Sequence, residues 1–304
     1  MRLIPLMLAA TLLALPATAA ELTGTLQKIK ETGTITLGVR DSSVPFSYLD
    51  DQQKPVGYAI DICYKIVDAV KKELKLPDLK VQTVSVLSSN RIPLMANGTI
   101  DLECGSTTNN AEREKQVWFT NTHYLTASKF VSKASAHLTD IASLAGKTVV
   151  STSGTTNIVQ LNQVNAARKL GINVLTAKDH AEAFLMVETD RAAAFVMDDV
   201  ILASFIASSK DPKAYTLSED AFSAAEPYGI MLRKDDVPFK ALADKATAEN
   251  VLVRLQQVDG LSVVMKLNPA DKKPVVQVAN INLRKLQASV VALDKKTAVA
   301  SARK

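Results

Sequence analysis

Apolar runs of strand length alternate along this chain with stretches whose apolar positions recur every three or four residues. TITLGV at 34–39 precedes a helical pattern from about Ala59 to Lys75. VQTVSV at 81–86, a short helix from Ile92 to Asn97 closed by Gly98, and IDLEC at 100–104 follow. A second series begins after Tyr124. KTVVS at 147–151 leads through Gly154 into a helix from about Asn157 to Leu170, which Gly171 is expected to end. INVL at 172–175, a helix near 181–190, AAFVM at 193–197 and a helix from about Asp199 complete it. The alternation predicts an α/β protein of two units, each with its own core. LTASKFV at 125–131 and YGIML at 228–232 read as strands where one unit gives way to the other. Two extended crossings are therefore expected, dividing the chain into 21–124, 125–227 and a return over 228–304. Clefts between such lobes are common ligand sites, furnished by loops at strand ends.

The opening MRLIPLMLAATLLALPATAAE has Arg2, an apolar run from Leu3 to Ala17, and small residues at Ala17 and Ala19. It reads as a cleavable secretory signal over residues 1–20. The run is too short for a membrane span, and no cysteine follows the cleavage point to carry a lipid, so a soluble periplasmic protein is expected.

The net charge of +5 is unevenly spread. Residues 251–304 carry ten Lys and Arg against three acids, whereas residues 21–250 carry 25 basic and 28 acidic groups. Basicity belongs to the tail, and the folded body does not read as a nucleic-acid binder. The tail also lacks any aromatic residue and shows no steady apolar period. It is expected to be the least ordered part of the chain.

Cys63 and Cys104 form one available pair in an oxidising compartment, at a spacing that matches no metal motif. Cys63 shares a helical face with Ile66, Val67, Val70 and Leu74, which makes it a core residue first, with a bridge to Cys104 as the alternative. His123, His137 and His180 are far apart and lack metal spacing; no metal or cofactor is expected. Neither a G-x-S-x-G nor a phosphate-loop motif occurs.

Polar residues gather instead where strand-end loops should lie. In ECGSTTNNAERE, Asn109 is the expected helix cap, with Glu112 closing a capping box and Arg113 in the first turn. Ser106, Thr107 and Thr108 surround that helix start, and a guanidinium there can hold a carboxylate in two parallel bonds. Arg40 follows the first strand, Ser88 and Arg91 sit between a strand and a helix, and SGTT at 153–156 opens another helix. His180 begins a helix and Asp198 ends a strand. Taken singly, Arg40 and Arg91 read as surface charges, and SGTT and Asp198 as helix caps. Their shared position in comparable loops favours one site, where three arginines and a histidine meet one carboxylate.

VRDSSVPFSY, SSNRIPLMANGTIDLECGSTTNNAERE, TSGTTN, AKDH, AFVMDD and YGIMLRKDD carry a family resemblance. From about Leu26 to Thr247 the chain resembles solute-binding protein family 3, the periplasmic binding proteins of ABC importers for polar amino acids, in its glutamate/aspartate branch. The resemblance implies a two-lobed type II periplasmic binding fold with two hinge strands, closing as a monomer over one amino acid for delivery to a membrane ABC permease. It implies that Arg113 grips the ligand α-carboxylate with Ser106, Thr108 and Thr156. Asp198 would take the α-ammonium, and Arg40, Ser88, Arg91 and His180 would surround the side-chain carboxylate. That arrangement leaves no charge of glutamate unpaired and strands an arginine against glutamine. One methylene shifts binding by only about 1–3 kcal/mol, so both acids are expected ligands. The alternatives are a periplasmic dehydratase on the same scaffold, with His180 or Asp198 as general acid, and an amino-acid sensor module. After Asn250 the sequence departs from the family, whose aromatic terminal helix has no counterpart here.

Overall fold

The computed structural model describes residues 22–248 and the backbone of two short strands at 263–267 and 274–278. The expected signal over 1–20 and most of the basic tail over 251–304 lie outside the described residues.

Helix α1 (Gly24–Thr32) ends at Gly33, which takes a left-handed conformation with φ of 63° and turns the chain into β1 (Thr34–Val39). A small sheet of β2 (Ser42–Ser43), β3 (Ser47–Leu49) and β4 (Pro55–Val56) precedes α2 (Tyr58–Leu74). That helix buries Ile62, Cys63, Ile66, Val67, Val70 and Leu74, a stripe at helical spacing. Each large aliphatic there contributes about 1.5–3 kcal/mol by leaving water. Next come β5 (Lys80–Ser85), α3 (Arg91–Ala96), β6 (Leu102–Cys104), the single turn α4 (Ala111–Glu114) and β7 (Val117–Phe119). A disulfide joins Cys63 to Cys104 with Cα atoms 6.0 Å apart, tying α2 to β6.

The chain then crosses through β8 (Tyr124–Thr126) into β9 (Ser128–Lys133). The second unit continues with β10 (Thr148–Thr152), α5 (Thr156–Arg168), β11 (Asn173–Ala177), α6 (His180–Glu188), β12 (Ala194–Asp198), α7 (Asp199–Ser208) and β13 (Tyr215–Leu217). The return passes through β14 (Glu226–Tyr228) to β15 (Met231–Arg233) and α8 (Val237–Ala248). Strands β16 (Val263–Leu267) and β17 (Pro274–Val278) pair antiparallel.

One sheet has the order β5-β1-β6-β15-β7 and the other β11-β10-β12-β9-β13. Parallel pairing of β1 with β5 and β6, and of β10 with β11 and β12, places Arg40, Gly105, Ser153 and Asp198 at carboxyl ends of strands. Between the sheets, β8 and β14 form a separate antiparallel pair with Tyr124 opposite Tyr228. These are the two expected crossings.

Several local expectations change. Each crossing segment is two strands, not one. Ala127 leaves the ladder, its carbonyl accepting from Asp199 N at 2.9 Å, and Ile230 N donates to the Thr120 hydroxyl at 3.0 Å. Asn110, not Asn109, caps α4 and accepts from Arg113 N at 2.9 Å. Asn109 N donates to Pro227 O at 2.7 Å, so the hinge strand holds that residue and delays the helix by one. Glu112 closes no capping box; its carboxylate pairs with Lys115. Lys169, not Gly171, supplies the left-handed end of α5, with φ of 52°. The cores are not separate either. One apolar cluster runs from Leu26 and Leu37 through Tyr124 and Tyr228 to Phe195 and Val200, because the hinge strands bury their tyrosines; two smaller clusters stay within one unit.

Candidate functional site

Strand ends and helix starts of both units meet in one narrow, tightly closed cleft. Ser88, Arg91, Ser106, Thr108 and Arg113 line it from the first unit, and Thr156, His180 and Asp198 from the second. Arg40 is not in that lining. It is buried, 1% exposed, and its backbone N–H donates to Ser47 Oγ at 2.8 Å. Its charge and that of Arg91 both act on His180.

The first unit supplies the cations. Arg113 is held three ways: its backbone N–H donates to Asn110 Oδ1, Nη1 donates to Thr108 O at 2.8 Å, and Nη2 donates to Gly154 O at 3.3 Å. Burial pushes Arg113 and Arg40 down to about 10, with the neighbouring Arg91 acting in the same direction; both remain guanidinium ions at neutral pH. Buried polar atoms without a hydrogen-bond partner cluster here: Arg40 Nη1, Arg91 Nε and Nη1, Ser88 Oγ, Ser106 Oγ, His180 Nε2 and Glu103 Oε1. Such groups are costly unless something polar meets them. Five of these seven are guanidinium donors or hydroxyls, which suits an anion.

In the second unit, Thr155 caps α5 by accepting from Ile158 N and donates its hydroxyl to Thr152 O at 2.7 Å. Asp179 caps α6, so His180 enters the first turn with Nδ1 2.9 Å from Thr152 Oγ1. Burial, and then the charges of Arg40 and Arg91, hold His180 well below the usual imidazole range and therefore neutral. Asp198 makes no side-chain cap bond to α7; Asp199 Oδ1 accepts from Val200 N instead. The Asp198 carboxylate accepts from Asn157 Nδ2 at 2.9 Å and from the Tyr228 hydroxyl. Burial raises it to about 6, against those two bonds, leaving it mostly ionised at neutral pH.

Glu103, quoted in the motif but given no role by the sequence, is a second carboxylate. It is fully buried in the middle of β6, accepts from Thr107 Oγ1 at 2.6 Å, and lies 3.8 Å from Arg91 Nη1. Gly105 makes room for it, since a Cβ there would lie 2.2 Å from Glu103 Oε1. Thr155, from the SGTT stretch, also lines the cleft, as do Asn157 and Met197, which the sequence reading does not include. Asn157 had a signal, as the residue directly after SGTT; Met197 reads as a buried strand position. Among the described residues, no three His, Cys, Asp or Glu come together as a metal site.

Two mixed sheets joined by two hinge strands, with a buried ionic cleft between them, define a two-lobed periplasmic binding fold of type II. Residues 35–251 match the bacterial extracellular solute-binding proteins, family 3, and the chain belongs to that family. It is 50% identical over 254 residues to the L-glutamate/L-aspartate-binding protein of Pseudomonas aeruginosa, covering 82% of this chain and 84% of that one. It is 48% identical over 225 residues to the glutamate/aspartate import solute-binding protein of Escherichia coli, covering 74% of each. Among solved structures, an arginine-binding protein mutant from T. maritima superposes with a TM-score of 0.65 at 24% identity, covering 74% of this chain and 92% of that one, a likeness of fold. These relatives are binding proteins and not enzymes, which sets the dehydratase alternative aside.

Proposed function

We propose that this protein binds glutamate or aspartate between its lobes and delivers it to an ABC importer. The observation that carries the reading is the charge of the cleft. Arg40, Arg91 and Arg113 stand against Asp198 and Glu103, with His180 neutral, so the buried site holds +1. An acidic amino acid carries −1 and closes a neutral site; glutamine or arginine leaves buried charge uncompensated, at a cost of several kcal/mol. Arg113, Ser106, Thr108 and Thr156 take the α-carboxylate. Asp198 takes the α-ammonium, Ser88, Arg91 and His180 surround the side-chain carboxylate, and Arg40, outside the lining, contributes its charge to that group.

The names of the curated relatives support the same ligands and an import role. The lobes are residues 21–124 with the return from 228, and residues 125–227. A signal over 1–20 sends the mature chain to the periplasm, where it works as a monomer with its membrane permease.

A melting screen of ligand-stripped protein against the twenty amino acids tests this. At about a thousandfold excess over Kd, glutamate and aspartate are expected to add about 4 kcal/mol, a rise on the order of 10 °C. An equal rise with glutamine removes the charge argument.

A further inference from the structure

Tyr228 ends the hinge strand β14 and is fully buried, its ring packed against Phe46 at 5.1 Å and Tyr124 at 5.9 Å between centroids. Its backbone is held as well, bridged to Thr108 and accepting from His123 N at 3.0 Å. It is absent from the lining of the cleft. Its hydroxyl nevertheless reaches into the second lobe and donates to Oδ2 of Asp198. The other oxygen, Oδ1, accepts from Asn157 Nδ2, a nitrogen that also lies 3.0 Å from Ser128 Oγ. The carboxylate is thus fixed from two directions, by the first turn of α5 in its own lobe and by the hinge.

We propose that Tyr228 is a positioning residue for ammonium recognition, its hydroxyl bond from the hinge strand keeping the Asp198 carboxylate in its anionic form. The inference rests on the reading of Asp198 as the partner of the ligand ammonium.

Each carboxylate oxygen has two acceptor positions, so one bond to each leaves both able to receive an ammonium proton. The bonds also keep the group ionised. Burial disfavours the anion, and the negative charges of Glu226 and Asp199 add to that; the bond from Tyr228 is the largest opposing influence, followed by that from Asn157. Arg113 is the cation whose charge is coupled to Asp198, and the nearby Tyr124 hydroxyl is held well above its usual range and stays neutral. With the Tyr228 hydroxyl removed, Asp198 takes up a proton at higher pH. A protonated Asp198 has no charge to offer an ammonium, so affinity falls as pH drops through the value for the ligand-free protein.

Tyr228→Phe deletes one oxygen and keeps the packed ring. Glutamate affinity is measured by titration calorimetry from about pH 5.5 to about pH 8.5 on the wild type, Tyr228→Phe and Asp198→Asn. The wild type is expected to weaken below about 6. Tyr228→Phe is expected to weaken from about one pH unit higher, so that near pH 6 it binds roughly fivefold worse than the wild type while the two converge near pH 8.5. A uniform loss at every pH, an unshifted profile, or a variant that no longer folds makes Tyr228 a packing residue and overturns the inference. Undiminished binding by Asp198→Asn overturns instead the assignment of the ammonium to Asp198, whatever Tyr228→Phe does.

Discussion

Arg113 Nη2 lies 3.3 Å from the carbonyl oxygen of Gly154, so a guanidinium fixed at the start of α4 in one lobe reaches the loop between β10 and α5 in the other. The same side chain donates from Nη1 to Thr108 O. Two of its five N–H donors are spent on the protein, and the fork remains charged beside the two helix starts.

Arg113→Lys retains the charge but loses the planar fork and the bridge between lobes. Glutamate binding is expected to weaken by about 2 kcal/mol or more, with the melting temperature of the ligand-free protein little changed. Titration calorimetry on the folded variant decides this; unchanged affinity makes Arg113 a structural side chain only.

Gly154 sits where the lobes touch. Its φ is 76°, and a Cβ would lie 2.5 Å from Ser89 Cα and 2.7 Å from the Ser88 carbonyl, all rigid backbone. Gly154→Ala is expected to reduce glutamate affinity at least about tenfold, since the closed contact cannot form around the added methyl without displacing backbone. Solution scattering should show that glutamate no longer compacts the variant. Normal compaction and affinity would show that the backbone gives way there.

The Cys63–Cys104 bond closes a loop with a sequence separation of 41 residues, linking α2 to the strand that carries Glu103. Replacing both cysteines with alanine is expected to lower unfolding free energy by about 2–5 kcal/mol. Denaturant melts of the variant beside oxidised wild type measure the difference, and equal midpoints would show that the tie adds nothing to packing.

His123 immediately precedes the hinge strand β8. It is buried, neither ring nitrogen has a hydrogen-bond partner, and burial lowers it to about 3. An unfolded histidine titrates near 6.5, so the native state resists protonation. The contribution of His123 to stability is complete above about pH 6.5 and declines by about 1.4 kcal/mol per unit as pH falls towards 3. Asp198 acts in the opposite sense, because its raised value favours the folded state as pH drops through about 6. Comparing stability curves of wild type and His123→Phe from about pH 7 to about pH 4 isolates the histidine: the variant should lose less on acidification. Parallel curves would mean that His123 is protonated without opening the fold.

Much of the site was legible before any tertiary structure because its signals are local. An arginine directly after an apolar strand, hydroxyls before a helix start and an acid ending a β-run all mark strand-end loops. Arg40, Ser106, Arg113, Thr156 and Asp198 occupy such positions. What misled the reading was also local. Asn109 and Asn110 are equal candidates for a cap, and the choice rests on Pro227, more than a hundred residues away. Asp198 looked like a helix cap in isolation, yet its partners are Asn157 and Tyr228.

The sequence by itself determined the α/β alternation, the two crossings and the set of loops that carry charge, because strand and helix periods are written in neighbouring residues. Only the tertiary structure decided that Glu103 lies buried beside Arg91, that Gly154 touches Ser88 and Ser89, and that a hinge tyrosine holds Asp198. Those relationships depend on how two sheets are set against each other. Burial, which decides whether a charge is solvated or must be matched, exists only once that packing has excluded water.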